Sequence, residues 1–229
     1  MSDMTIESRA AELRDRQLAE RRARIDRMFA VLLVVQYIAG IAGALWVSPF
    51  AWEGKLRVLH LHVWVAVLGG AGVTLLPVLL AIFRPGSKIT RHVIAASQML
   101  SSALLIHLTG GRIETHFHVF GSLAFLAFYL DWPVLITATV VIAADHFLRG
   151  VFWPESVYGI ANPEWWRFLE HAGWVAFEDV FLIWSCVLAK QEMTASAVRQ
   201  AQVEQLSEQE QLKSAALEMA LAEMQSASA

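Results

Sequence analysis

Long apolar runs fill the middle of this chain, and charged residues crowd into residues 1–27 and 190–223. A bilayer core about 30 Å thick is crossed by roughly 20 apolar residues of helix, and several runs reach that length. Six apolar segments can be drawn: roughly 28–47, 58–83, 92–108, 115–130, 134–151 and 171–189. The third to fifth are short and should stand upright or sit where the bilayer is thin. Ser48-Pro49-Phe50, the stretch Arg84 to Lys88, Gly110-Gly111 and Asp131-Trp132-Pro133 break the chain between them, and a longer loop covers 152–170. The expectation is an all-α integral membrane bundle of six transmembrane helices, followed by a long helix.

The two ends read differently. Residues 1–27 are polar and Arg-rich, too long for a cleavable signal peptide and lacking its small-residue cleavage site; they predict a cytoplasmic amphipathic helix. After Lys190 there is neither Gly nor Pro, and Ala, Gln, Glu, Leu and Met prevail, which predicts one continuous helix. Val203, Leu206, Leu217, Ala220 and Met224 fit heptad a and d positions, interrupted by Glu210 and Lys213. That pattern predicts a weak parallel coiled coil and hence a homodimer; a single solvated helix is the plainer alternative. The expected domains are 1–27 as the lead-in helix, 28–189 as the six-span domain, and 190–229 as a signalling helix.

Charge sets the orientation. An even number of spans puts both termini on one side, and that side collects 13 of the 18 Lys and Arg residues. Positive residues favour the cytoplasm, so both termini are expected there, in a bacterial inner membrane. Trp46, Trp52, Trp132, Trp153, Trp165 and Trp166 lie near span ends, as an interfacial aromatic belt should. Charged residues are 17% of the chain, below the usual quarter for soluble domains, and no basic stripe with interleaved aromatics points to nucleic acid. The lone Cys186 excludes an intrachain disulfide and reads as a small buried apolar residue.

Candidate chemistry lies in the histidines. On the drawn topology His60, His62, His107, His116, His118, His146 and His171 share the outer layer of the bundle, and only His92 lies at the cytoplasmic boundary. Interfacial packing explains any one of them. It does not explain seven against one across two interfaces, because ionisable groups within spans face the interior and mark functional sites. Imidazole clusters bind transition metals. Glu178 lies two turns below His171 on the same face and joins the expected ligands. Glu114, Asp145, Glu170 and Asp179 are expected acceptors for a ligand's other ring N–H, with an ion pair to Arg149 as the plain reading of Asp145. The i,i+2 pairs His60/His62 and His116/His118 diverge by about 200° in a regular helix, so both members share one ion only where the helix start is irregular. Seven imidazoles exceed one tetrahedral site, which suits one or two ions.

The segment from Gly110 carries His116-Phe117-His118, then Tyr129-Leu130-Asp131-Trp132-Pro133, then Ala144-Asp145-His146. It resembles a His-rich membrane input domain of bacterial chemoreceptors, sensor histidine kinases and diguanylate cyclases, over roughly residues 30–190. Asp145-His146 replaces the commoner His-His. The resemblance implies a sensor rather than an enzyme, with the terminal helix passing a signal to a cytoplasmic output domain of kinase, chemoreceptor or cyclase type that is not expected within this chain. The leading expectation is therefore a metal-binding sensory module responding to a redox, gas or metal signal. Copper is the first expected metal, with zinc or iron as alternatives. A haem-binding or metal-dependent membrane oxidoreductase is the second reading, since two facing histidines can ligate a haem axially. A small transporter is the third, disfavoured by the lack of an inverted repeat.

Overall fold

The computed structural model describes residues 5–227, so the first four and last two residues of the expected terminal segments lie outside the described residues. Helix α1 runs Ile6–Val47. Strands β1 (Phe50–Glu53) and β2 (Leu56–Leu59) follow, then α2 (Leu61–Trp64), a π-helical turn (Val65–Gly69) and α3 (Gly70–Phe83). After these come α4 (Lys88–Leu108), α5 (Ile113–Leu126) with a 3₁₀ turn at Ala127–Tyr129, α6 (Trp132–Phe152), the short α7 (Glu155–Tyr158) and α8 (Arg167–Ala227). The protein is all-α apart from the small antiparallel hairpin, in which Glu53 pairs Leu56 across a two-residue turn. The sequence pattern does not anticipate that hairpin.

Among the described residues, five helices are long and apolar enough to cross a membrane: α1, the run Leu61–Phe83, α4, α6 and α8. The expected fourth span is the exception. The chain from 115 to 130 folds as part of the 14-residue α5 plus one 3₁₀ turn, which together rise about 27 Å at 1.5 and 2.0 Å per residue, a little short of a bilayer core of about 30 Å. Six spans are thus not reached on length. The reason is local: the helix starts after Gly110-Gly111 and stops at Leu130, a non-glycine residue in the left-handed region (φ 52°) that turns the chain into α6.

The chain divides into two compact units, residues 19–188 and residues 1–18 with 189–229. In the larger unit α4 is the most buried of the long apolar helices. It carries Thr90, Arg91, Ser97, Gln98, Ser102 and His107 inward, because in an apolar surround polar side chains are cheapest when turned toward partners. Around them pack Phe29, Ile94, Met99, Ile106, Leu123, Leu126, Tyr129 and Leu135. At the end away from most histidines, buried Asp26 accepts from the Gly86 N–H (2.5 Å) and the Tyr129 hydroxyl (2.6 Å), and Arg91 pairs with Asp131 at 2.5 Å. Tyr129 and Asp131 of the sequence motif are therefore structural ties.

In the smaller unit Ala10 and Leu13 of α1 pack on Ala197 and Ala201 of α8. Arg9 pairs with Glu204 at 2.9 Å and holds that carboxyl below the usual range by hydrogen bonding. From Gln205 to Ala227 every residue is exposed, including Leu206, Leu217 and Met224 of the heptad pattern.

Candidate functional site: two histidine trios at one end of the bundle

All the histidines but His92 lie at the start of α2, the C-terminal part of α4, the N-terminal part of α5, the C-terminal part of α6 or the start of α8. Six of them fall into two trios. His116, His146 and His171 form one trio, with ring centres 5.4, 5.2 and 5.8 Å apart. His60, His62 and His107 form a second, with 4.4 Å between the first two and 4.9 Å between the last two; Trp153 lies edge-on to His107.

The first trio is uniformly oriented. His116 Nδ1 lies 3.0 Å from the Arg112 carbonyl, His146 Nδ1 3.1 Å from that of Ile142, and His171 Nδ1 3.0 Å from that of Arg167. Each is the carbonyl four residues back on the ring's own helix. A carbonyl only accepts, so each Nδ1 carries a proton and donates it. The neutral ring then leaves Nε2 as a free lone pair. In His116, which is 5% exposed, Nε2 is buried with no hydrogen-bond partner. Beneath the trio lies a cavity of about 60 Å³ walled by Val119, Ile142, Ala143, Val175 and Thr139. Among the described residues, no group of three or more His, Cys, Asp or Glu has its donor atoms at the spacing of a formed metal site.

The second trio is built otherwise. His60 caps α2 in an extended conformation, and its Nδ1 accepts from the His62 backbone N–H at 3.0 Å. Because His60 stands outside the helix, the i,i+2 pair meets face to edge rather than diverging. The same spacing within the regular turn of α5 has the opposite result. His116 joins its trio, while His118 reaches Gln36 (3.0 Å) and Ser102 (2.8 Å), with Gln98 donating to Ser122 alongside (2.9 Å). His92 bonds Thr137 at 2.8 Å and sits fifteen residues before His107, about 22 Å along α4.

The acidic residues divide too. Asp145 pairs with Arg149 at 2.5 Å and lies 3.3 Å from His146 Nδ1, so it is both an ion-pair partner and a second acceptor for that ring. Arg149 in turn bonds Ser156 and ties α7 to α6. Glu114 faces outward with Arg112 at 3.4 Å, and Glu170 is exposed beside the first trio. Asp179 is buried and accepts from Thr139. Glu178 has a buried Oε2 without a partner.

Sequence reading missed Tyr158, whose ring centre is 5.4 Å from that of His171; burial pushes its phenol above the usual range, so it remains an O–H. It also missed Arg167, whose Nε is buried without a partner. Both sit in or beside a loop with no periodicity to flag them. Gly111 seats that loop: its φ is +74°, and a Cβ there would lie 2.3 Å from the Gly159 nitrogen.

This arrangement defines an all-α membrane protein with imidazole clusters at one end of its bundle. Transducer protein Htr8 of Halobacterium salinarum is 35% identical over 85 residues, covering 35% of this chain and 13% of the transducer. The chain thus spans a small part of that relative. No family model and no solved structure matches.

Proposed function

We propose that this chain is the membrane sensory module of a transducer, in which His116, His146 and His171 hold a transition-metal ion through Nε2. The observation that carries the reading is the common orientation of the three rings. Backbone carbonyls hold each Nδ1–H, which is how ligating histidines are aimed and their tautomers fixed. The spacing fits as well. An imidazole bound at about 2.0 Å has its centre about 3.2 Å from the ion, so three rings at trigonal or tetrahedral angles stand roughly 5.2–5.5 Å apart. Two of the observed separations, 5.2 and 5.4 Å, fall in that range, and the third, 5.8 Å, lies just above it. Three imidazoles suit copper, zinc or iron, with copper binding tightest among divalent ions; when bound, the ion would supply a charge centre with an open position.

The ring centres are closer than axial ligands on opposite faces of a porphyrin, which favours a bare ion over haem. His60, His62 and His107 are less ready for a second ion, because His60 spends Nδ1 on the backbone. His171 begins the same continuous helix that ends in the Leu206–Met224 stripe, which supports α8 as the output path, with a second copy and a cytoplasmic output domain as its partners. Counted as a short sixth crossing, α5 with its 3₁₀ turn keeps both termini on one side, and the Lys/Arg distribution then supports that side being the cytoplasm.

The test is elemental analysis of protein purified without chelator or a His tag, together with its absorption spectrum. About one ion per chain, lost in His146→Ala and retained in His92→Ala, is expected. Metal-free wild-type protein that takes up no ion on titration would refute the site, and a Soret band would replace it with haem.

A further inference from the structure

Beside the first trio, α5 and the start of α8 enclose an open groove of about 530 Å³, within the usual range for small-molecule sites. Ile113, Phe117, Phe120 and Trp174 form its apolar walls, Arg167 and Glu170 stand at one end, and His116 and His171 form the inner side. Phe117 and Trp174 are 67% and 61% exposed, on helix faces that would otherwise be covered by lipid.

Two unsatisfied groups belong to this groove. The Arg167 guanidinium pairs with Glu164 through Nη2 at 3.3 Å, yet its Nε–H is buried without an acceptor. His116, only 5% exposed, has an Nε2 without a donor. An occupant that satisfies both must bring an oxygen acceptor and a hydroxyl donor. The aromatic walls ask for a flat ring, and the lipid-side opening asks for an apolar tail. A phospholipid acyl chain would use the walls and leave both polar groups unsatisfied.

We propose that the groove binds the ring of a membrane-borne hydroquinone, one hydroxyl oxygen accepting from Arg167, the other hydroxyl donating to His116 Nε2, and its tail toward lipid. This deepens the sensory reading by naming the class of signal. It relies on that reading for the meaning of the signal and not for binding itself. His116 Nε2 has one lone pair, so it accepts from the hydroquinone only where no ion holds it, and ring and metal compete at that atom.

The experiment uses the full chain in phosphatidylcholine nanodiscs, titrated under reducing, oxygen-free conditions with a short-tailed ubiquinol analogue by equilibrium dialysis against empty nanodiscs. Saturable binding near one per chain is expected. Trp174→Ala and Arg167→Gln should each weaken it about tenfold, while Trp46→Ala, at an 89% exposed position elsewhere, should leave it unchanged. Metal content is measured on the same samples. Analogue binding without metal supports the groove and removes the metal reading; metal without saturable analogue binding does the reverse. Equal binding by wild type, Trp174→Ala and Arg167→Gln, or full displacement by excess lysophospholipid, would overturn the proposal.

Discussion

Replacing His118 by alanine separates a ligand from a structural imidazole more sharply than any change within the trios. His118 is two residues from His116 on the same helix, so a single metal-binding layer would make the two equivalent. The geometry divides them: His118 bonds Gln36 at 3.0 Å and Ser102 at 2.8 Å, away from the other rings. Its removal breaks two interior hydrogen bonds. Such bonds between membrane helices average about 0.6 kcal/mol, with an upper value near 1.7, and the lost ring leaves a void that adds to the cost. His118→Ala should therefore lose about 1–3 kcal/mol of stability with unchanged metal per chain. His116→Ala should lose the ion instead. Unfolding in mixed micelles and elemental analysis on one preparation read both quantities. An intact stability with lost metal in His118→Ala would refute the division of roles. Ser102→Ala offers a milder check, since it removes one bond to the same ring.

Tyr129→Phe keeps the stack on Phe29, whose ring centre is 5.8 Å away, but removes the donor to Asp26. It should cost about 1.5–3 kcal/mol, the worth of a bond to a charged group, measured by the same unfolding assay. Gly111→Ala should cost at least about 1–3 kcal/mol from its positive φ alone and loosen the 152–170 loop, seen as faster proteolysis there; unchanged cleavage would count against that packing. Metal should leave the trio as pH falls, because ligation requires neutral imidazole and protons compete for Nε2. Retention under acid, with the fold intact, would point to a different donor set. Arg149→Ala should break the tie to Asp145 and Ser156 and weaken metal retention about 10–100-fold, as loss of a ligand's supporting contact does, scored by competition with a chelator.

Five long apolar helices, their breaks and the continuous terminal helix were legible because each depends on local composition: apolar length, Gly and Pro punctuation, and helix propensity. Gathering of histidines at one end was legible for the same reason, since alternating spans place odd and even ends together. Asp145 shows the limit of that reading. Its spacing to Arg149 announced the ion pair, while its 3.3 Å approach to His146 depends on side-chain direction at the turn between them.

What the sequence by itself determined was which residues could meet; which ones do meet was decided by backbone irregularity and helix rotation. Two i,i+2 pairs look identical in one dimension. His60 lies outside its helix as an extended cap and folds back on His62, whereas His116 and His118 sit in a regular turn and part by about 200°. The second α5 histidine thereby becomes an interior hydrogen-bond partner. The meeting of His116, His146 and His171 also belongs to the tertiary structure alone: each ring's Nδ1 is held by the carbonyl four residues back, but only the packing of α5, α6 and α8 brings the three ring centres within 5.2–5.8 Å.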